Sequence, residues 1–483
     1  MEKNALLYLL GRIAAGLLAL GSIALFSLLL SESDYTNYSL ILSIAVFVNI
    51  VFFQWLSFGS IHSAVSNKSL INELDFKYLM ALLVTMAPFA LVAAVFGFIS
   101  TTYFDLLSLV IFLSLGLAFF DWFTWKLHVE KTPVLFAIYD VSRAFLFLFF
   151  GLIAIFFGFD FVSFMLAISL AYFVMPVLRI FKGFIHSFKK NHYDDVSIFR
   201  IVFKFGASQA LLFSSIPAYV AAIKLLALNV TNTHDLGGSF FLVVDLSILI
   251  LGTIFYSVFF AIRPFTLNLD HNDVKESSSS IKNSIFETVL FASVPWLIFL
   301  FFMVPLIERV IFNGKMFDSG MLDLMDLSFL LLSIYLLFFK SFYIDLPLHS
   351  SSLTFLSPLT SYLGLILFMG LSHFANDFYM SDLIVNFFIS VSLALLMSVY
   401  FSFKIQFKVN PFPSLMKLFV FILLTAVLMS YAVEISRSAY LSMFFCTVSF
   451  AFMFLLFSIL VNLYRARELS LIVLQWLVNG SLK

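Results

Sequence analysis

About fourteen apolar runs, each near twenty residues long and parted by short polar breaks, follow one another along the chain. They lie at about 5–30, 38–59, 77–99, 104–124, 134–157, 160–180, 201–229, 238–262, 285–312, 324–345, 352–373, 382–404, 415–433 and 438–464. A hydrocarbon core of about 30 Å is crossed by about 20 helical residues. Inside it every backbone N–H and C=O must be satisfied within the protein, which a helix does by itself. The runs therefore predict an all-α integral membrane protein with about fourteen transmembrane helices. Composition agrees: 62% of residues are hydrophobic and 11% charged, against about 25% charged in soluble domains. The 67 Phe residues suit helix faces that meet lipid. The first run is too long for a signal-peptide core and is interrupted by Arg12, so it reads as a retained helix.

Loop charge sets an orientation. With the N-terminus inside, the cytoplasmic loops and termini hold 21 of the 27 Lys and Arg residues, Lys340 among them. The opposite loops hold three: Arg309, Lys315 and Arg437. The remaining three, Arg12, Arg143 and Lys224, fall inside spans. This asymmetry predicts an even number of spans with both termini cytoplasmic. The outer loops are short, the longest running from about Asn313 to Asp323.

The longest inner linker follows the sixth run and divides the chain. Residues 1–180 form an N-terminal six-helix lobe, 201–410 a second six-helix lobe, and 411–483 a further helix pair (13 and 14) with a cytoplasmic tail. In the linker, 181–200, Phe181, Phe184, Ile185 and Phe188 fall at helical spacing, with Lys182, Lys189 and Lys190 off that stripe. That is the pattern of a basic amphipathic helix on an anionic leaflet. Six spans per lobe make the repeats parallel, related by a pseudo-two-fold axis along the membrane normal. Transporters of this type hold substrate between the halves and expose it alternately to each side.

Certain residues sharpen this. Gly11-Arg12 in the first run, Ser33-Asp34-Tyr35-Thr36-Asn37-Tyr38-Ser39-Leu40, and Gln54-Trp55-Leu56 near the end of the second run resemble the N-terminal signature of bacterial polysaccharide transporters in the MOP exporter superfamily. Gly238-Ser239-Phe240 leading to Asp245-Leu246, and Arg263-Pro264 closing the eighth run, are similar to the equivalent stretch of that family. Within it the chain most resembles Wzx-type O-antigen and capsule flippases. There are departures: the family's Tyr-Gly-x-Tyr turn reads Tyr35-Thr36-Asn37-Tyr38, the Arg after Trp-Leu is His62, and the Asp-Arg of the seventh span is Ile223-Lys224. The resemblance implies a flippase moving undecaprenyl-pyrophosphate-linked repeat units from the inner to the outer leaflet of the bacterial cytoplasmic (inner) membrane. It also implies membrane lipids and the polymerase and chain-length proteins of the same pathway as partners. Sugar hydroxyls and a diphosphate are too costly to bring into hydrocarbon unaided, so the head group needs a polar path.

Charges inside spans are expensive and face a cavity, a partner or water. Arg12, Arg143 and Lys224 are the candidates to line such a cavity and offset the diphosphate, the arginines through forked donors. Other readings stand beside this one: Arg143 pairing with Asp140 at i−3, and Lys224 snorkelling to the outer interface. Asp245 and Asp140 are the acids available to couple transport to a proton or sodium gradient, and Lys224 is also a candidate partner for Asp245. Asp121, at the inner end of the fourth run, reads as wet. The single cysteine, Cys446, rules out an intramolecular disulfide. No metal site and no cofactor is expected, and zero net charge gives no argument for nucleic acid. A MurJ-like lipid II flippase or a MATE-like cation-coupled exporter is the alternative. The first kind carries several arginines in its first two helices, and the second has twelve spans with an acid in the first or second. A polymerase or ligase would need a long outer loop, so an enzyme is not expected.

Overall fold

The computed structural model describes residues 2–57, 101–129, 132–187, 195–231, 234–269, 277–312, 317, 322–345, 355–374, 379–404, 412–435 and 438–460. Among these the chain is helical throughout. The helices are α1 (Glu2–Leu29), α2 (Glu32–Phe52), α3 (Thr101–Val129), α4 (Pro133–Phe156), α5 (Phe161–Ser187), α6 (Asp195–Thr231) and α7 (His234–Leu269). They continue as α8 (Ser277–Phe312), α9 (Leu324–Phe339), α10 (Leu356–Phe374), α11 (Met380–Lys404), α12 (Phe412–Ile435) and α13 (Ala439–Leu460). A π turn, Lys340–Ile344, extends α9.

Eleven described helices are long and apolar enough to cross a membrane, and two shorter apolar stretches lie at Phe161–Val177 and Leu418–Glu434. These thirteen match thirteen of the expected runs; the run at 77–99 and His62 lie outside the described residues. The chain is a multi-pass, all-helical membrane protein. Its outward faces confirm the solvent: Leu17, Ile366 and Phe452 are each more than 60% exposed, and only lipid accommodates so much bare hydrocarbon.

The helix ends follow local chemistry. After α4, Gly158 takes φ +67°, the Phe159 N–H bonds to the Ala154 carbonyl and the Gly158 N–H to that of Ile155. This is a Schellman stop, and glycine enters it without a Cβ penalty. Asp160 then caps α5, its Oδ1 accepting from the Ser163 N–H at 3.2 Å. The hydrogen bonds from Ser163 hold this exposed carboxyl below its ordinary value. Asp323 caps α9 in the same way through the Asp326 N–H. Buried serines such as Ser43, Ser114, Ser169 and Ser293 return their hydroxyls to the carbonyl four residues back, which satisfies them in an apolar interior.

The chain groups into two compact units, Met1–Asp245 with Ser351–Ser398, and Leu246–Ser350 with Val399–Lys483. In the first, α1 packs along α4, α4 and α3 along α5, and α2 against both α3 and α6, while α10 lies on α6. In the second, α8 packs on α9, α12 and α13, around a core that includes Met303, Met429, Cys446 and Phe450.

Two expectations about these elements need correction. Lys340 is not a loop charge: it is fully buried in the π turn and donates to Asp345 Oδ2 at 2.7 Å. Helix α7 does not stop at Arg263-Pro264 but runs to Leu269. The stretch 181–187 continues α5 without a break, while residues 188–194 of the linker lie outside the described set.

Candidate functional site

Two polar clusters sit among apolar helices of the first unit. The first begins with Gly11 on α1. A Cβ there would lie 2.6 Å from the Ala137 Cβ, so glycine lets α1 close onto α4. That approach brings Arg12 to Asp140. Arg12 Nη1 stands 3.4 Å from Asp140 Oδ2, and Arg143 Nη2 3.2 Å from Asp140 Oδ1. One buried carboxylate thus holds two arginines from two helices. Aromatic faces complete the setting. The Arg12 guanidinium lies 5.3 Å from the Phe136 ring centre, and that of Arg143 5.0 Å from Phe120 and 5.3 Å from Tyr172. Arg143 also donates to the Tyr172 hydroxyl at 3.4 Å.

The i−3 pairing of Arg143 with Asp140 is therefore present, but it does not exhaust Asp140. No acid lies within two turns of Arg12 on its own helix, and the fold supplies one from α4. The two arginines differ in access: the Arg12 side chain is 37% exposed, that of Arg143 18%.

Asp121 belongs to the same region and is half-buried rather than freely wet. Its Oδ2 accepts from Asn49 Nδ2 at 2.7 Å and from Gln54 Nε2 at 2.6 Å. Both arginines act electrostatically on it. Asn49 and Asp121 were missed as site residues because each looks ordinary in its own run. Gln54 did carry a signal, as part of the Gln54-Trp55-Leu56 motif.

The second cluster joins α2, α6 and α7. Gly238 has a role like that of Gly11: a Cβ there would meet Glu32 Cγ at 2.6 Å, so α7 starts hard against α2. Lys224 is 0% exposed, so the snorkelling alternative does not hold. Its Nζ donates to the hydroxyls of Ser39 and Ser43, both at 2.7 Å, to the Ser39 carbonyl at 3.2 Å, and to Asp245 Oδ1. Asp245 Oδ2 accepts from the Ser39 hydroxyl and, at 3.2 Å, from the Tyr35 hydroxyl. The partner expected for Asp245 is thus the one it has. Tyr35 and Ser39 come from the first aromatic motif and Asp245 from the second, so the fold brings the two motifs together.

No protein-family model and no curated protein matches this sequence. Solved structures do match. One is the lipid II flippase MurJ in an inward closed conformation, with TM-score 0.64 and 13% identity over 96% of this chain and 99% of that one. A MATE transporter in complex with MaL6 matches at TM-score 0.58 and 12% identity, over 84% of this chain and 96% of that one. An inward-facing multidrug resistance MATE transporter of the MOP superfamily matches at 0.55 and 13%, over 84% and 94%. The fold is that of MurJ and the MATE transporters. In this MurJ- and MATE-like frame, the arginine cluster is built by the first five described helices. The lysine cluster is built by α2, α6 and α7. Among the described residues no group of His, Cys, Asp and Glu is arranged to hold a metal ion.

Proposed function

We propose that the protein is a flippase for an undecaprenyl-pyrophosphate-linked oligosaccharide, an O-antigen or capsule repeat unit, in the bacterial inner membrane. The observation that carries this reading is the Arg12–Asp140–Arg143 cluster inside the spans of a MurJ- and MATE-like fold. An anionic head group crossing a low-dielectric layer needs fixed cations, and cations waiting there need a counter-charge when no substrate is bound. Asp140 supplies that counter-charge to both arginines. A diphosphate entering beside Arg12, the more exposed of the two, replaces the carboxylate as acceptor for the guanidinium forks. Asp140, released, is then an acid able to take up a proton, which gives a route to coupling. In this reading the two six-helix lobes alternate around the site, both termini are cytoplasmic, and the pathway's polymerase and chain-length proteins work alongside.

The roles of the candidates separate. Arg12 meets the diphosphate first, and Arg143 follows. Lys224 already has its three N–H donors engaged, so it ties α2, α6 and α7 together and does not meet the substrate.

Arg12→Ala should abolish surface glycan while the protein inserts at wild-type level, and Arg12→Lys should restore only part, because an ammonium has no fork. Wild-type glycan in Arg12→Ala would overturn the assignment. Lipid II is the second reading, favoured by the near-complete coverage of MurJ in both directions. Depleting the protein separates the two: loss of surface glycan with normal growth assigns the oligosaccharide, whereas lysis with accumulated lipid II assigns the peptidoglycan precursor.

A further inference from the structure

We propose that the Lys224 pocket is a monovalent-cation site filled by the protein's own ammonium. Lys224 is a tethered cation that makes this junction independent of dissolved sodium. The inference does not rest on the substrate reading.

The argument lies in which way the hydroxyls face. The Ser43 hydroxyl donates to the Ser39 carbonyl at 2.8 Å, so it offers Lys224 a lone pair. The Ser39 hydroxyl donates to Asp245 Oδ2, so it also offers Lys224 a lone pair. The Ser39 carbonyl and Asp245 Oδ1 are acceptors by nature. Every group around Nζ is thus an oxygen with its hydrogen turned elsewhere. The set comprises one carbonyl, two hydroxyls and one carboxylate. These hard oxygens are the donors that hold small inorganic cations in proteins. The Tyr35 hydroxyl, donating to Asp245 Oδ2 at 3.2 Å, helps hold the carboxylate in place. The Phe241 ring, 5.4 Å from Nζ, adds a face that favours any positive charge.

An ammonium on a short covalent stem, held in the pocket by its own backbone, has a high effective concentration there, so Nζ occupies the site in place of sodium while Lys224 is present. Because Ser39 and Ser43 lie on α2, Lys224 on α6 and Asp245 on α7, occupancy of the site ties three helices together. Asp245 consequently does not serve as a sodium-coupling acid in the wild-type protein. Removing the ammonium should convert the pocket into a true alkali-ion site.

The test uses full-length protein in detergent and in liposomes, with sodium chloride titrated against choline chloride at constant ionic strength. Wild-type thermal stability should be the same in both salts. Lys224→Ala should be less stable in choline and gain stability with the logarithm of sodium concentration once that exceeds the site's dissociation constant. The gain should vanish in Lys224→Ala combined with Asp245→Asn. If Lys224→Ala is not recovered in choline, recovery in sodium chloride carries the same meaning, and Lys224→Ser is measured beside it. The proposal is overturned if both variants respond identically to sodium and choline, or if neither can be recovered in any alkali salt. It is equally overturned if the wild-type protein shows a saturable sodium response that Asp245→Asn removes.

Discussion

Asp140 shows how much a single buried residue carries. It lies one helical turn from Arg143 and reaches Arg12 on another helix, so its charge is shared. Asp140→Asn keeps the shape and takes away the carboxylate. Losing one partner of a buried ion pair costs about 3–5 kcal/mol, and the partial exposure of Arg12 places this one toward the lower end. The expected outcome is a lower unfolding temperature in detergent, with part of the loss recovered in Asp140→Asn/Arg143→Leu. No recovery in the double variant would show that the two residues are not energetically coupled. Asp121 teaches the reverse lesson. Read alone it is a carboxylate at a helix end; in the fold, amides from Asn49 and Gln54 grip one of its oxygens.

At the scale of the element, helix ends were the part most fully written in local chemistry. The Gly158-Phe159-Asp160 break works because Gly158 occupies positive φ and Asp160 caps the next helix. Nothing lies within 4 Å of a Cβ built on Gly158. Gly158→Ala should therefore cost only the backbone penalty of a left-handed residue, about 1–2 kcal/mol, seen as a modest fall in unfolding temperature with unchanged insertion. A drop several times larger would mean the turn makes contacts beyond its own backbone. The π turn at Lys340–Ile344 was not legible. Hydropathy places Lys340 at the end of a span, where a lysine normally reaches water, but the wider turn brings Asp345 within 2.7 Å of Nζ and both are buried. The extension of α7 past Pro264 was missed for a related reason: proline is tolerated in membrane helices where neighbours re-satisfy the freed carbonyl.

For the molecule as a whole, the prediction concerns sidedness. If the Lys and Arg asymmetry fixes orientation, tags on the N- and C-termini should both be shielded from membrane-impermeant reagents in intact cells and both react after permeabilisation. Labelling of one terminus alone in intact cells would refute the even, inside-in arrangement. The spans themselves were legible because lipid imposes one requirement along every helix, namely about twenty residues without charge. Thirteen of the expected runs coincide with apolar helices or stretches for that reason. The candidate sites were only half legible. Arg12, Arg143, Lys224, Asp140 and Asp245 stand out because a charge inside a span is costly wherever it occurs. Tyr35, Ser39, Ser43, Asn49 and Gln54 carry no such cost and acquire meaning only from what lies opposite.

The sequence by itself determined the solvent, the helices and the identity of the charges that must find partners. Each is a property of a short stretch of chain measured against hydrocarbon. Tertiary structure alone decided the partners: Arg12 with Asp140 and Lys224 with Asp245, made possible where Gly11 and Gly238 let helices touch. Pairing depends on which helices lie side by side, and no periodicity within one apolar run records its neighbour.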